Sequence, residues 1–235
     1  MFSTTNPTML ALRGLTRRLG INALLGKALG GQGYEAKLSQ TMLASVRPGD
    51  RVWDVGANIG HYTLQFAKLV GPHGRVYAFE PSSINRARLE EGIAGLPSVR
   101  ILAMGLSNTS GQGLLLQGFD DLGATSRIVR NNAKEEAAVE HVPLVAGDDL
   151  VASGEVDLPT FIKIDVEGFE PEVMQGLSRT LANGVVREVF IEMHFSLLAA
   201  RGLAGAARDI EDRLRADGFK LSWLDASHLH AHRNG

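Results

Sequence analysis

Two short segments place ionisable side chains at the ends of apolar, strand-like runs. Lys163, Asp165 and Glu167 alternate with apolar residues, and in a strand such alternation puts all three charged groups on one face. A buried charge costs free energy unless it is paired, so charges at the end of a strand indicate a functional site. Glu192 and His194 end the next apolar run with the same alternation. If the two strands are neighbours, the five groups meet at one edge of a sheet.

The chemistry that these residue types offer is proton transfer. His194 is the favoured general base, because the histidine reference pKa of about 6.5 lies near working pH. Asp165 is the second candidate, since a carboxylate there could accept a hydroxyl proton, orient that hydroxyl or bind an ammonium group. Lys163 could pair with Glu192 or contact the substrate, and Glu167 completes the acidic group.

Structural roles for these residues are open alternatives. A histidine at a strand end often serves only as a hydrogen-bonding residue, Glu167 could turn the chain together with Gly168, and Glu170 could be a favourable charge in the first turn of a helix. No metal is predicted, because the spacing does not require one. Oxygen and nitrogen ligands for a metal ion would come from Asp165, Glu167, Glu192 and His194.

A glycine-containing loop predicts a nucleotide-type cofactor. Gly56 and Gly60 in the segment Asp54-Val-Gly-Ala-Asn-Ile-Gly60 allow a tight turn and a close approach of a ligand to the backbone. The helix that follows offers free amides over Gly60–Thr63. Glu80 stands about 20 residues further on, at the end of the second strand, where a carboxylate can accept both hydroxyls of an adenosine ribose.

The loop favours S-adenosylmethionine over a dinucleotide. The dinucleotide fingerprint has a second glycine where this chain has Asn58. Asp54 would repel a diphosphate but would attract a ligand with an ammonium and a sulfonium group. An NAD-dependent oxidoreductase is therefore the alternative enzyme, and a non-catalytic scaffold that binds the cofactor is a third hypothesis.

Three blocks in order resemble the FkbM-type methyltransferases, which are class I S-adenosylmethionine-dependent enzymes and mostly O-methyltransferases. The blocks are Asp54-Val-Gly-Ala-Asn-Ile-Gly60, Phe79-Glu-Pro81 and Lys163-Ile-Asp-Val-Glu-Gly-Phe-Glu170. The resemblance runs from about Arg51 to His194. It implies a Rossmann-like α/β fold with a mostly parallel seven-stranded sheet in the order 3-2-1-4-5-7-6, with helices on both faces.

The resemblance also implies roles for particular residues. Glu80 should hold the ribose, and the backbone around Met104 and Gly105 should face the adenine. The methionine part should lie against Gly56, Asn58 and Gly60, with Asp54 and the helix start at Thr63 completing the cofactor site. The acceptor should be a hydroxyl group of a small molecule, and we favour a sugar, a glycolipid or a polyketide-like natural product. An acidic sheet edge suits a neutral, polyhydroxylated acceptor.

Alternating strands and helices predict a parallel sheet from residue 49 onward. Predicted strands are Arg51–Val55, Arg75–Phe79, Val99–Leu102, Phe161–Val166, Glu188–Met193 and Phe219–Leu224. Predicted helices are His61–Leu69, Ile84–Ile93, Pro171–Leu181 and Ala204–Asp217. The region Gly105–Gly147 is interpreted as an insertion or a substrate-facing hairpin. Its short strands are predicted at Leu114–Gln117, Ser126–Val129 and Val142–Val145.

The two ends of the chain fit the family pattern less well. Residues 1–48 are interpreted as a helical cap of short helices broken at glycines, and residues 49–235 as the cofactor-binding domain. His228–Asn234 is a poor apolar strand where the family needs a last strand. We interpret its three alternating histidines as a polar tail or a frayed end, with a metal-binding face as the alternative.

Composition excludes several classes of protein. The chain has 235 residues, with 44% hydrophobic and 21% charged, which does not fit a largely disordered chain. The net charge of −2 gives no basic field for nucleic acid, and no cysteine is present for disulfides or thiol chemistry. No run reaches the about 18 apolar residues of a membrane span, and a cytoplasmic location is expected. A basic amphipathic helix at the N-terminus could touch an anionic membrane surface.

Overall fold

The computed structural model of the chain describes residues 31–116, 127–129 and 139–233. The basic N-terminal helix and the membrane contact predicted for it lie outside the described residues. Among the described helices, none has the length and apolar character needed to cross a bilayer. The described elements in chain order are α1 (Gly31–Ala44), β1 (Arg51–Val55), α2 (His61–Val70), β2 (Arg75–Phe79), α3 (Ser83–Gly92), β3 (Val99–Leu102), β4 (Gly105–Ser107), β5 (Gly111–Leu116), β6 (Arg127–Val129), β7 (Val139–Ala146), α4 (Gly147–Ala152), β8 (Phe161–Ile164), α5 (Glu170–Gly176), α6 (Ser178–Ala182), β9 (Glu188–Glu192), α7 (Phe195–Ala200), α8 (Ala206–Ala216), β10 (Lys220–Trp223) and β11 (His228–His232).

The larger sheet has seven strands in the order β3-β2-β1-β8-β9-β11-β10. The five strands β3, β2, β1, β8 and β9 are parallel to one another, and β11 runs antiparallel to both of its neighbours. Numbered along the chain, this is the predicted order 3-2-1-4-5-7-6, so the class I methyltransferase fold is confirmed. All four residues of β8 are buried, as expected for a central parallel strand covered on both faces.

Alternate residues of the central strands pack into two cores, one on each face of the sheet. Trp53 and Ile162 belong to the larger core, which contains the buried side chains of α5, α6 and α8. Val52 and Phe161 belong to the other core, where Phe66 of α2 joins them. The last helix of the predicted cap is part of this second core, since Leu38 and Met42 of α1 pack there. It therefore forms a layer of the domain.

Strand β11 corrects the interpretation of the histidine tract as a polar tail. Leu229 and Ala231 are buried in the larger core, while the three histidines that alternate with them face the other side of the sheet. There, His230 stacks on Phe190 with ring centroids 4.1 Å apart, and its Nε2 lies 2.7 Å from Oε2 of Glu188. The tract forms a strand in which His228 and His230 pair with carboxylates of β9.

The region after β3 forms a second sheet in the order β4-β7-β5-β6. The three predicted strands are present, but β5 and β7 are longer than expected. Strand β5 pairs antiparallel with residues 139–144 of β7. Strand β4 was not predicted. It pairs with β7 in parallel over three residues, a pairing too short and too distant along the chain for the sequence pattern to show.

Strand β8 ends at Ile164, earlier than predicted, because the chain turns sharply just beyond it. Glu167 has a φ of 48° and Gly168 a φ of 87°. These left-handed conformations end the strand and direct the chain into α5, which starts at Glu170. The predicted helix over Pro171–Leu181 is divided into α5 and α6, and the short helices α4 and α7 were not predicted.

Candidate active site

The glycine loop lies directly against the end of β8. Gly56 has a φ of 78°, and a Cβ added there would stand 1.8 Å from the backbone oxygen of Asp165. The amides of Gly56 and Ala57 both donate to the carbonyl of Phe79, at 3.0 and 3.1 Å. Only glycine allows this approach, so the loop brings the ends of β1, β2 and β8 together.

Glu80 is held in place by backbone amides. Its Oε2 accepts a hydrogen bond from the amide of Asn58 at 2.8 Å, and its Oε1 accepts one from Ser82 at 2.9 Å. Burial raises the pKa of Glu80, while these two hydrogen bonds act in the opposite direction. Asn58 adopts a left-handed conformation with a φ of 52°, which aims its amide back at the carboxylate. Glu80 therefore has a fixed orientation before any ligand binds.

A cleft beside these groups is the candidate cofactor site, and we call it the cofactor cleft. Its polar lining includes Glu80, Asn58 and Asn85. The side-chain oxygens of both asparagines are buried and have no hydrogen-bond partner among the described residues. Unpartnered buried acceptors are costly, so they fit a ligand that brings hydroxyl or ammonium donors. The apolar part of the cleft is formed by Val55, Phe79, Pro81, Leu106, Leu115, Ile128 and Val166.

Four of the predicted cofactor residues line this cleft, namely Gly56, Asn58, Glu80 and Gly105. The others lie elsewhere. Met104 packs against the larger core, and Gly60 faces Leu89, whose Cδ1 would be 2.3 Å from an added Cβ. Sequence reasoning missed Leu115 and Ile128, because they come from the second sheet.

Asp54 and Thr63 form a buried support under the loop, where direct contact with the cofactor had been expected. The hydroxyl of Thr63 donates to Oδ2 of Asp54 at 2.7 Å, and Nζ of Lys163 lies 3.3 Å from Oδ1. Lys163 also donates to the carbonyl of Gly56 at 2.8 Å. The expected pairing of Lys163 with Glu192 is replaced by these contacts. Asp54 thus connects β1, α2 and β8.

Lys163 also reaches toward the open side of the site. Its Nζ lies 3.5 Å from Oδ2 of Asp165. Burial alone would lower the pKa of Lys163, but the charges of Asp54 and Asp165 outweigh it and raise the pKa. Burial raises the pKa of Asp165, and Lys163 opposes that shift. The lysine is therefore a fixed positive charge next to Asp165.

His194 lies among three carboxylates. Its Nδ1 donates to Oε1 of Glu170 at 2.7 Å, and its Nε2 lies 3.3 Å from Glu167 and 3.8 Å from Asp165. Burial alone would lower the pKa of His194, but the hydrogen bonds to Glu167 and Glu170 outweigh it and raise the pKa to about 11. His194 therefore holds its proton at neutral pH. Its expected role as general base assumed the reference pKa of about 6.5, which this environment does not preserve.

Glu170 is a site residue that sequence reasoning missed. It had been interpreted as a simple charge at a helix start, but it is fully buried. Its Oε1 also accepts from the amide of Gly168 at 2.9 Å. The available signal was the third acid in the run of Asp165, Glu167 and Glu170, immediately before a helix.

The same cluster has the spacing of a small cation site. Ligand atoms of Asp165, Glu167 and His194 all lie within 4.8 Å of one another. A carboxylate on the far nitrogen of a metal-bound histidine is a common arrangement, and Glu170 has that position. A proton on His194 and a divalent cation are therefore alternative ways to balance these acids. The sequence prediction of no metal is not tested by this geometry.

Glu192 belongs to a second histidine–carboxylate group, on β9 and β11. Nε2 of His228 lies 3.3 Å from Oε2 of Glu192, and Nδ1 lies 2.7 Å from Oδ2 of Asp225. Burial alone would lower the pKa of His228, but the two carboxylates raise it to about 9. The pKa of Glu192 is lowered by His228 against the effect of burial. An imidazolium and a carboxylate thus stand side by side.

These residues face a second cavity, of about 200 Å³. One side is apolar and aromatic, with residues from α1, α2 and β9, and the other is polar, with Lys163, Asp165, Glu192 and His228. Asp165 lines both this second cavity and the cofactor cleft. Two ligands bound in the two spaces would therefore meet at Asp165.

A family model for the methyltransferase FkbM domain matches residues 54–221. The chain belongs to the FkbM methyltransferase family. This match favours a methyltransferase over the nicotinamide-dependent alternative. The family match includes the glycine loop, Glu80 and every residue of the cluster around His194, which confirms the resemblance seen in the sequence.

Two curated relatives are similar to this FkbM-family chain. The hexuronic acid methyltransferase AglP of Haloferax volcanii is 32% identical over 164 residues, which are 68% of this chain and 62% of that protein. The 31-O-demethyl-FK506 methyltransferase FkbM of Streptomyces tacrolimicus is 28% identical over 206 residues, which are 75% of each chain. The chain thus aligns with less than two thirds of the length of AglP.

The fold is shared with a solved member of the family. A crystal structure of an FkbM methyltransferase from Methylobacillus flagellatus superposes with a TM-score of 0.52 at 16% identity, over 78% of this chain and 43% of that one. At this identity the likeness concerns the fold alone. It agrees with the seven-stranded sheet described above.

Proposed function

We propose that this FkbM-family methyltransferase transfers the methyl group to a hydroxyl oxygen of a sugar or glycoconjugate. The observation on which the proposal depends is that Asp165 lines both the cofactor cleft and the second cavity. An acceptor in that cavity would stand next to the cofactor. The names of the two relatives, a hexuronic acid methyltransferase and a 31-O-demethyl-FK506 methyltransferase, support an oxygen acceptor on a small molecule.

The lining of the cofactor cleft suits the parts of S-adenosylmethionine. Glu80, fixed by two amides, would accept the ribose hydroxyls, and Gly56 and Asn58 would hold the methionine part. The adenine would lie beside Gly105 between Leu106 and Leu115, which are apolar and buried. When bound, the cofactor supplies a methyl group activated by a sulfonium centre.

The protein must place the acceptor oxygen in line with the methyl group, exclude water and remove a proton. Asp165 is the better candidate for the proton acceptor, because it is a carboxylate at the junction of the two spaces and His194 already holds a proton. His194 would then hold Glu167 and Asp165 in position. Lys163 would keep Asp165 ionised until the hydroxyl group is in place. This reverses the order of preference between His194 and Asp165 that the sequence suggested.

Calorimetric titration with S-adenosylmethionine, S-adenosylhomocysteine and NAD tests the cofactor assignment. We expect micromolar binding of the two sulfur ligands, no binding of NAD, and loss of binding in Glu80→Ala. Glu140→Ala is the matched control, because Glu140 also accepts a backbone hydrogen bond near the start of α3, from Ser83, but lies outside the cleft lining. Equal binding by Glu80→Ala and the wild type would contradict the role of Glu80.

Methyl transfer from radiolabelled S-adenosylmethionine to hydroxylated acceptors then tests the reaction. Sugars with and without a carboxylate should be compared, because a hexuronic acid offers both a hydroxyl and a carboxylate oxygen. Transfer to a sugar hydroxyl, identified by mass spectrometry of the product, supports the proposal. Cofactor binding without transfer to any acceptor would indicate a non-catalytic scaffold, and transfer to a nitrogen or carboxylate alone would contradict hydroxyl methylation.

A further inference from the structure

The second cavity contains a pair of groups that the methyl-transfer step itself does not use. Glu192 and His228 lie on neighbouring strands at the edge of the cavity farther along the sheet from the glycine loop. They pair with each other at 3.3 Å. Neither lines the cofactor cleft, whose lining reaches the turn after β8 but not β9 or β11. Their place in the cavity therefore points to the acceptor.

The pair offers one hydrogen-bond acceptor and one donor at adjacent positions. Glu192 is an ionised carboxylate, one-third exposed at its side chain, and His228 is 19% exposed. Asp225 fixes the imidazole through Nδ1 at 2.7 Å, so Nε2 is the nitrogen turned toward Glu192 and the cavity. Two neighbouring hydroxyl groups match such a pair, because each hydroxyl can both donate and accept.

The opposite wall of the cavity is apolar. Leu38 and Met42 come from α1 and Tyr62 from α2, and the Tyr62 hydroxyl is already bonded to Ser39 at 2.8 Å. Tyr62 therefore offers mainly its ring. A cavity with a carboxylate–imidazolium pair on one side and a hydrocarbon wall on the other matches a sugar ring, which has hydroxyl edges and carbon–hydrogen faces.

Size and charge narrow the ligand further. The cavity volume of about 200 Å³ is below the about 300–1,000 Å³ typical of pockets for drug-sized molecules, so it suits one ring. Its charged lining contains two cations, Lys163 and His228, and two anions, Asp165 and Glu192. Lys163 is paired with Asp54 and Asp165, and His228 with Glu192 and Asp225. Both cations of the lining already have carboxylate partners, which favours a neutral ring over an anionic one.

We propose that the second cavity is the acceptor site and that Glu192 and His228 bind adjacent hydroxyl groups of a single neutral sugar ring in it. This inference rests on the proposed function, since it names the part of the acceptor that the enzyme recognises. Glu192 and His228 are positioning residues: they hold the ring so that another of its hydroxyls faces Asp165. His228 thereby gives the histidine tract a role in substrate binding.

The test uses the full chain saturated with S-adenosylhomocysteine. Binding of methyl glucopyranoside, methyl galactopyranoside, methyl rhamnopyranoside and methyl glucuronide is measured by saturation-transfer NMR and titration. The variants are Glu192→Gln and His228→Asn, the second of which keeps a polar group for Asp225 but lacks Nε2. Loss of a hydrogen bond to a charged group should weaken sugar binding by about tenfold or more.

Matched controls come from the same two strands. Glu188 and His230 form an equivalent pair, 2.7 Å apart, but do not line the cavity. Glu188→Gln should leave sugar affinity unchanged, and it keeps the stacking of His230 on Phe190, which lines the cavity. If a variant of the cavity pair fails to fold, Leu38→Trp provides a second test, because a larger side chain on the apolar wall should block the sugars while S-adenosylmethionine still binds.

Each result decides for or against the inference. At least one neutral glycoside should bind the wild type more tightly than the glucuronide, and binding should fall in the cavity variants alone. Equal affinity in Glu192→Gln, His228→Asn and the wild type would overturn the assignment of the pair. Methyl transfer to a hydroxylated acceptor without binding of any glycoside would overturn the sugar class while the hydroxyl-methylating activity stands. Cofactor binding without methyl transfer to any hydroxylated acceptor and without glycoside binding would instead contradict the proposed function.

Discussion

The cofactor cleft and the second cavity share Asp165, but they are built from different kinds of groups. The cleft uses backbone geometry: Gly56 and Asn58 in left-handed conformations and amides that fix Glu80. The cavity uses paired side-chain charges, with Lys163, His228 and their carboxylates. The first arrangement suits a ligand that is always the same, and the second suits a ligand that differs among related enzymes.

The difference follows from what each kind of group can tolerate. A backbone amide keeps its position whatever side chains surround it, so a loop can retain its shape while the rest of the site changes. Paired charges depend on every member, because removing one leaves the other buried and unpaired. We therefore expect substitutions in the cleft to act through the shape of the loop, and substitutions around the cavity to act through charge.

The largest effect is expected for Gly56→Ala. The added Cβ would stand 1.8 Å from the carbonyl oxygen of Asp165, in a backbone with a φ of 78°. Strain of about 1–3 kcal/mol from the left-handed conformation adds to a clash with backbone that has no room to shift. The melting temperature should fall by well over 10 °C, or no folded protein should form, since each kcal/mol of lost stability lowers the melting temperature by about 2–4 °C for a chain of this size.

Gly49→Ala is the control for that substitution. Gly49 has a φ of 86°, but no atom lies within 4 Å of an added Cβ. The substitution should cost only the conformational strain of about 1–2 kcal/mol. Similar melting temperatures for the two variants would show that the contact between the loop and β8 is not what holds the cleft together.

This contrast also accounts for what could be predicted from the sequence. The cleft residues lie close together along the chain, since a single helix separates the loop from Glu80. A strand, a glycine loop, a helix, a second strand and an acid in this order are typical of an adenosine site. Gly56 and Glu80 were therefore predicted from spacing, whereas the role of Asn58 was implied by the family resemblance. Leu115 and Ile128, which complete the cleft, come from a sheet whose β4–β7 pairing no local pattern shows.

The cavity could not be predicted in the same way. Its walls come from α1, α2, β8, β9 and β11, and each of its residues, taken alone, is compatible with an ordinary structural role. His228 suggested a frayed tail because its partner Glu192 is identified only once β11 lies beside β9. Asp165 and Glu167 were expected beside His194, but its pKa was misjudged because the buried Glu170, which accepts from its Nδ1, was not expected there.

The second-largest effect is expected for Glu170→Gln. Glu170 is fully buried and accepts from Nδ1 of His194, so the neutral amide should lower the pKa of His194 from about 11 toward its usual value. The imidazole resonances of His194, followed by NMR against pH, measure this directly. kcat should fall by about tenfold or more, as for other buried residues that orient a functional histidine, while cofactor affinity is unchanged.

Glu172→Gln is the control on the same helix, because Glu172 pairs with Arg201 near the surface. It should alter neither the His194 titration nor kcat. A His194 pKa that stays near 11 in Glu170→Gln would mean that Glu167 and Asp165 hold the proton by themselves.

A smaller effect is expected in the pH dependence of stability. The pKa of His228 is about 9 in the folded protein, above the usual value of about 6.5, so the folded state is stabilised while His228 is protonated. This contribution is complete below about pH 6.5 and is lost as the pH rises through 9, and it amounts to about 3 kcal/mol at most. The free energy of unfolding, measured with urea from pH 6 to 10, should decline as the pH rises. In His228→Asn this free energy should decline less steeply with pH. The same slope in both proteins would contradict a raised pKa.

The smallest effect is expected for metal removal. Both nitrogens of His194 already face carboxylates, and Lys163 lies 3.5 Å from Asp165, so a divalent ion at this cluster would have to displace a proton and compete with an ammonium group. Methyl transfer should therefore be unchanged after dialysis against EDTA and after adding Mg²⁺ or Mn²⁺. Activity that is lost on chelation and restored by one of these ions, but not in Glu167→Gln, would show that the acids around His194 bind a metal. The charged side of the site would then depend on an ion, as the cleft depends on its backbone.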